Sequence, residues 1–325
     1  MAETKADCFV GVDLGGTKIY AGVFTSSLEC IGTVRLSTKS QRGPEPVIER
    51  IARCVKDAVD ECDLEIDRVK AVGVGAPGAV DPETGRVIFA PNLQWKDVPL
   101  KKSLEKLLGV PVCVENDANI CTIGVYHAEM KSKPRDLVGI FIGTGIGGGL
   151  IIDGQLYSGF NHTAGEIGHM VIDVDGPKCG CGNKGCFEAL ASRSAIFQHI
   201  HAAIKDGEKT ILTEMLGPSL EDLRSGDLRK AIRRGDKLVD RIVAEAADYI
   251  GIAVANLINV LNPEVVVLGG GVIEALEDEM MPTIVKTATE HILSGTAKGI
   301  SIVASKLADE AGITGGAVLA RRECK

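Results

Sequence analysis

The chain has 325 residues, 45% of them hydrophobic and 25% charged. These values fit a globular protein of about two domains and argue against long disorder. Acidic residues outnumber basic ones 44 to 36, for a net charge of −8, and no basic stripe of the kind a nucleic-acid binder carries is visible. The opening MAETKADCFVGV lacks a basic start followed by a long apolar core, so no secretory signal is read. The longest uncharged stretch, Leu137 to Ile152, is short for a membrane span and crowded with glycine. The expectation is a soluble, cytoplasmic protein without nucleic-acid or membrane partners.

Taken in order, FVGVDLGGTKIYAGVFT reads as two apolar strands joined by a tight hairpin, and CIGTVRLST as a third strand. Residues Glu45 to Cys62 place Val47, Ile48, Ile51, Val55, Ala58 and Val59 on one helical face. VKAVGVGAPGAV is a buried strand ending in a Gly/Pro turn. A helix over Leu100 to Leu108, the strand VPVCVEN and the helix DANICTIGVYHAEM follow, with Asp117 as the expected N-cap. The second half repeats the opening: LVGIFIGTGIGGGLIIDGQLY is again strand, Gly-rich turn, strand. A Gly- and Cys-rich loop covers Gly159 to Gly185, and helices start near Glu188. The longest helix runs from about Lys237 to Leu261, where Asn262-Pro263 ends it. EVVVLGGGV is a strand opening onto a helix at Ile273, ISIVAS a last strand, and Ile313 to Arg322 a last helix.

Three glycine clusters carry the chemistry. In Asp13-Leu14-Gly15-Gly16-Thr17-Lys18, two glycines let the backbone approach an anion, Thr17 adds a hydroxyl, and Asp13 makes sense beside a phosphate only if a cation such as Mg²⁺ comes with it. An ordinary hairpin turn is the alternative. Gly143-Thr144-Gly145-Ile146-Gly147-Gly148-Gly149 formally matches G-x-G-x-x-G, but a strand follows it where a dinucleotide site needs a helix, and no Walker A pattern is present. Gly269-Gly270-Gly271 lies between strand and helix, as a platform for a flat nucleotide or as a plain turn. DLGGTK, GTGIGGG and LGGG, in this order, resemble the sugar kinase/actin/heat-shock ATPase superfamily. That resemblance implies an α/β fold of two ribonuclease-H-like lobes binding ATP in a cleft between them. The expected lobes are residues 1–118 with the last helix, 310–325, and residues 119–309.

Seven of the ten cysteines are scattered (Cys8, Cys30, Cys54, Cys62, Cys113, Cys121 and Cys324), mostly among apolar neighbours, where cysteine packs as a small hydrophobe. Cys179, Cys181 and Cys186 cluster, ten residues after His169. Three thiolates and one imidazole make up a closed Cys₃His site, so the metal expected is a structural Zn²⁺. Three buried cysteines and an unrelated histidine are the alternative. AGEIGHM followed by CxCGxxGCxE resembles the ROK family of kinases and repressors over nearly the whole chain, and in that family the zinc ligands fall on these four positions.

A sugar kinase must hold the phosphate, neutralise it, and accept the hydroxyl proton. VCVENDAN ends a strand with Asn116-Asp117; read locally, Asp117 could serve as a helix cap. The ROK resemblance makes it the general base and Asn116 a sugar contact. It also implies that Glu166, His169 and Glu188 bind ring hydroxyls, with Gly78 and with Asn92 of PNLQW contributing. Glu188 could equally be a favourable acid at a helix N-terminus. His169 has a nitrogen for zinc and another for the sugar. The activity implied is Mg-ATP-dependent phosphorylation of the 6-hydroxyl of a hexose, glucose first, by a homo-oligomer (dimer or tetramer). Asp13 organises Mg²⁺; Gly15, Gly16, Thr17, Lys18, Gly143, Thr144 and Gly145 hold phosphates; Gly269, Gly270 and Gly271 line the adenosine. Other sugars of the family (N-acetylmannosamine, N-acetylglucosamine, fructose, allose) are the alternative. A sugar-sensing repressor fits less well, because the first hairpin begins about ten residues in.

Overall fold

A computed structural model describes residues 7–296 and 298–323; Cys324 lies outside them. The strands and helices, in chain order, are β1 (Cys8–Leu14), β2 (Lys18–Thr25), β3 (Cys30–Ser37), α1 (Pro44–Asp60), β4 (Val69–Ala76), β5 (Ala79–Asp81), β6 (Arg86–Ala90), β7 (Trp95–Val98), α2 (Leu100–Leu108), β8 (Val112–Asn116) and α3 (Asp117–Ala128). Then come β9 (Leu137–Ile142), β10 (Ile146–Ile152), β11 (Gln155–Leu156), α4 (Phe187–Ala191), α5 (Arg193–Lys205), α6 (Leu212–Leu216), α7 (Ser225–Arg233), α8 (Lys237–Leu261), β12 (Val265–Gly269), α9 (Gly271–His291), β13 (Ser301–Ala304) and α10 (Glu310–Glu323).

The chain divides into two compact units. One runs up to Pro134, takes in Gly149–Gly165 and resumes at Asp309; the other comprises Arg135–Gly148 and Glu166–Ala308. The division therefore does not fall at residue 118. α3 stays with the first unit because it packs against α10: a Cβ on Gly124 would lie 2.1 Å from the carbonyl oxygen of Ala311.

The duplication read in the sequence appears in the strand orders. One five-stranded sheet runs β3-β2-β1-β4-β8, the other β11-β10-β9-β12-β13. In the first, β1 pairs antiparallel with β2 and parallel with β4, and β4 pairs parallel with β8. In the second, β12 pairs parallel with both β9 and β13.

Period-two alternation assigns the faces of the first sheet. Val10, Val12 and Leu14 of β1, Ile19, Ala21 and Val23 of β2, and Val72 and Val74 of β4 join α1 and α2 in one buried core. The opposite face carries Gly11, Gly22 and Gly73, and α10 sits directly on it. A Cβ on Gly11 would be 1.7 Å from the Ile313 oxygen, and one on Gly73 would be 2.0 Å from the Gly316 oxygen. These glycines are spaced for close backbone approach. In the other unit, α8 is long and apolar enough by composition to cross a membrane, and Val239, Ala247, Ile250, Ala253 and Val254 on it are buried, as in a core helix.

Three strands were not foreseen. β5, β6 and β7 form a small antiparallel sheet over residues 79–98. They are 3, 5 and 4 residues long, too short for hydrophobic alternation to stand out. Of the scattered cysteines, Cys8 and Cys54 are buried, whereas Cys30 on the outer strand β3 is exposed. Burial pushes the Cys8 thiol up to about 11 and the Cys54 thiol to about 12, so both are inert at neutral pH.

The seating of α10 yields a prediction. Gly73→Ala should destabilise the protein by about 1–3 kcal/mol or more, because backbone atoms of Gly316 occupy the space a methyl group needs. A thermal melt checks this, and a midpoint equal to wild type would contradict the close packing.

Candidate active site

In the first unit the predicted residues converge at the carboxyl ends of the parallel strands β1, β4 and β8, the edge where α/β folds gather ligands. The register places Asp13 beside Gly75 and Gly75 beside Glu115. The DLGGTK tip is closed by Gly15 N–H donating to the Lys18 carbonyl (2.8 Å). Buried Thr38 pins it twice: its N–H donates to the Thr17 carbonyl (2.9 Å), and its hydroxyl to the Gly15 carbonyl (2.7 Å). Asn92 lies against the tip, since a Cβ on Gly16 would be 3.7 Å from the Asn92 Cβ. Lys18 is engaged by Asp309 (Nζ to Oδ2, 2.6 Å), which Arg35 also approaches (3.4 Å).

Burial pushes the Asp13 carboxyl up to about 6, against the opposing pull of Lys18 and with a small further push from Asp309. Lys18 does not offset the burial of this carboxylate, which suits a residue that organises a further cation.

The corner between β8 and α3 differs from expectation in one respect. Asn116, not Asp117, is the N-cap: its Oδ1 accepts from the N–H groups of Ala118 (2.9 Å) and Asn119 (3.1 Å). Its Nδ2 donates to the Gly78 carbonyl (3.0 Å). Asp117 is thereby the first residue of the helix, and its Oδ1 also accepts from the Ala118 N–H (2.9 Å). Gly78 adopts φ +86°, and a Cβ there would lie 2.2 Å from the Phe89 oxygen, so glycine is required. Behind the corner sits buried Glu115, which accepts from the Asn116 N–H (2.8 Å) and from Asn119 Nδ2 (3.0 Å). Burial raises its pKa. The thiol of Cys121 is raised well above its ordinary range by burial first, then by the charges of Asp13 and Asp117.

In the second unit, the Gly143 N–H donates to the Gly145 carbonyl (2.9 Å), closing the second tip. The start of α5 braces it. The Arg193 N–H donates to the Gly143 carbonyl (3.0 Å), the Ser194 hydroxyl to the Thr144 carbonyl (2.8 Å), and Arg193 Nη2 to the Thr144 hydroxyl. Glu188 meets the same tip: its Oε2 accepts from the Ile146 N–H (2.9 Å). Gly168 also packs on Ile146, so the turn bearing His169 lies close by. Gly270 has φ +85°, and a Cβ there would be 2.6 Å from the Ile142 oxygen; Gly271 faces open space. LGGG thus abuts the end of β9, from which the second tip departs.

One ligand atom from each of His169, Cys179, Cys181 and Cys186 lies within 4.8 Å of all the others. Cys179 Sγ is 3.8 Å from His169 Nδ1, and Cys181 Sγ is 3.7 Å from Cys186 Sγ. A tetrahedron with Zn–S bonds of about 2.3 Å has edges of about 3.8 Å, so the donor set fits zinc in both chemistry and spacing. Gly182 (φ +100°) and Gly185 (φ +68°) make the turns that fold the loop back. His169 directs Nδ1 to the cysteines, and its Nε2 stands 4.0 Å from Glu166 Oε2.

Sequence reasoning missed Thr38, Glu115, Arg193, Ser194 and Asp309. Glu115 stood in the VEND run and was open to notice; the others act through tertiary contacts that leave no local pattern.

The Asp13 environment fixes a sign. A carboxyl raised from its ordinary 3.8 to about 6 in the folded state makes stability fall as pH rises through that window, because the folded form then holds the proton more tightly than the unfolded chain. Asp13→Asn, measured without nucleotide or divalent metal, should therefore melt higher than wild type above pH 6 and lose that advantage near pH 4. An equal or lower melting point at pH 8 would contradict the assignment.

Known proteins resemble this chain over nearly its whole length. The ROK family model matches residues 9–323. A glucokinase of Thermotoga maritima is 35% identical over 309 residues, covering 95% of each chain. An N-acetyl-D-glucosamine kinase of Vibrio cholerae is 33% identical over 325 aligned positions, 96% of this chain and 99% of its own. The crystal structure of a ROK family glucokinase from Streptomyces griseus in complex with glucose and AMPPNP superposes with a TM-score of 0.85 at 33% identity, covering 97% of this chain and 99% of that one. The chain belongs to the ROK family.

Proposed function

We propose that this ATP-dependent sugar kinase transfers the γ-phosphoryl group of ATP to the 6-hydroxyl of a hexose, with glucose as the preferred acceptor. The observation that carries the reading is the β8–α3 corner. Asn116 takes over the cap and the Gly78 contact, and Asp117 follows it as the first residue of α3, with its Oδ1 accepting from the Ala118 N–H. Asp117 accepts the hydroxyl proton while the sugar oxygen forms a bond to the γ-phosphorus and the bond from that phosphorus to the bridging oxygen of ADP breaks. Gly15, Gly16 and Thr17 on one tip, and Gly143, Thr144 and Gly145 on the other, offer N–H and hydroxyl donors to phosphate oxygens. The adenosine is assigned to the turn of Gly269, Gly270 and Gly271, where Gly271 faces open space and the other two pack on β9. Asp13 holds the magnesium ion that accompanies ATP, which offsets phosphate charge.

Asn92, Asn116, Glu166, His169, Glu188 and the Gly78 backbone are assigned to the sugar hydroxyls. Glu188 spends one carboxylate oxygen on Ile146 N–H and keeps the other for a ligand. His169, Cys179, Cys181 and Cys186 hold a structural zinc, which supplies a crosslink to the loop and fixes the His169 ring so that Nε2 points away from the metal. The reaction belongs in the cytoplasm, where ATP is at hand.

Glucose is favoured by the PNLQW and AGEIGHM segments and by the glucokinases at similar identity; the N-acetylglucosamine kinase marks the competing acceptor. A coupled assay with ATP across glucose, N-acetylglucosamine, N-acetylmannosamine, mannose, fructose and allose decides between them. The highest kcat/KM is expected for glucose, and a higher value for an N-acetylated sugar would overturn the glucose assignment. Metal analysis of the purified protein should find one zinc per chain. Cys181→Ser should lose it, raise the KM for sugar, and lower the melting temperature. Full sugar affinity in a zinc-free protein would remove the metal from this account.

A further inference from the structure

The second glycine tip is held by a cation that the kinase reading has not used. Thr144 stands at its apex, and Arg193 donates from Nη2 to the Thr144 hydroxyl oxygen. A hydroxyl that accepts from a guanidinium directs its own hydrogen elsewhere. Among the described residues, no carboxylate forms an ion pair with Arg193, and its remaining donors have no protein partner. The other basic side chain at a glycine tip, Lys18, is occupied by Asp309 at 2.6 Å. The Arg193 backbone is itself tied to the tip through Gly143, and its neighbour Ser194 through Thr144. The guanidinium is therefore positioned by the element that shapes the phosphate-binding turn.

We infer that Arg193 is a donor-binding residue: its guanidinium contacts the terminal phosphates of the nucleoside triphosphate beside the Thr144 hydroxyl, so that the second tip recognises phosphate charge as well as shape. A guanidinium matches phosphate oxygens with two parallel donors and adds a full positive charge, which backbone N–H groups do not carry. The inference rests on the kinase reading and assigns the phosphate half of donor recognition to one side chain.

Two substitutions separate charge from bracing. Arg193→Gln keeps a donor for Thr144 and removes the charge; Arg193→Lys keeps the charge and loses the fork. Each is compared with wild type for the KM of MgATP and of sugar, and for direct binding of AMPPNP with Mg²⁺ and of adenosine. The glutamine variant should weaken MgATP and AMPPNP by about 10- to 100-fold, the range for a lost charge-assisted contact. Adenosine affinity and sugar KM should stay within about twofold of wild type, and lysine should recover part of the loss. Wild-type triphosphate binding in the glutamine variant, or a parallel loss of AMPPNP and adenosine, would overturn the inference and leave Arg193 a brace. A wild type that phosphorylates no sugar would strike the kinase reading instead; the ratio of AMPPNP to adenosine affinity would still decide the role of Arg193.

Discussion

The site in the first unit depends on how one amide is spent. Asn116 closes β8, caps α3 with its oxygen, and holds the Gly78 carbonyl with its nitrogen. A cap of this kind is worth about 1 kcal/mol, and its larger effect is on position. With Asn116 in that role, Asp117 moves one residue into the helix, at the end of a buried parallel strand. Glu115 secures the arrangement from behind by accepting from the backbone of Asn116 and the side chain of Asn119. A general base needs a fixed direction more than an unusual affinity for protons, and the role proposed for Asp117 draws that direction from three consecutive residues.

A second constraint comes from the alternation of glycine along the first strands. Placing Gly11, Gly22 and Gly73 on one face lets the α10 backbone approach the strands at Gly11 and Gly73, while Tyr20 and Phe24 pack beside it against Ile313 and Ala317. This brings the start of α10 against Asp13: a Cβ on Gly312 would lie 2.9 Å from the Asp13 Cβ. The same packing that excludes water from the sheet raises the Asp13 carboxyl. On the proposed cation-binding role of Asp13, the cost of burying this carboxylate is the stability given up for function, a trade common at functional sites.

Much of this was legible beforehand because the signals are local. The long helices α1 and α8 announce themselves by apolar periodicity. The glycine tips and the Cys₃His set announce themselves by composition over a few residues. The repeated strand-tip-strand opening of each half was visible as a coarse duplication, and the shared strand order of the two sheets came with the structure. What escaped notice is non-local or very short. β5 to β7 hold too few residues for a pattern. The cap passed to Asn116 because Asn and Asp are both good caps, and only the helix start separates adjacent candidates. Thr38, Arg193 and Asp309 reach their partners across 23, 49 and 291 residues of chain, and no window reveals such pairs. Glu188 is the mixed case: its place at a helix start was foreseen, and its bond to Ile146 was not.

The central claim is that Asp117 takes the proton from the sugar hydroxyl. Its most direct measurement is turnover of Asp117→Asn with glucose and MgATP, alongside glucose binding and a thermal melt of the same variant. Asparagine is close in shape and accepts no proton, so kcat should fall by about 10²- to 10⁴-fold while binding and melting stay near wild type. A variant that binds glucose, melts normally and still turns over at a rate comparable to wild type would contradict the account.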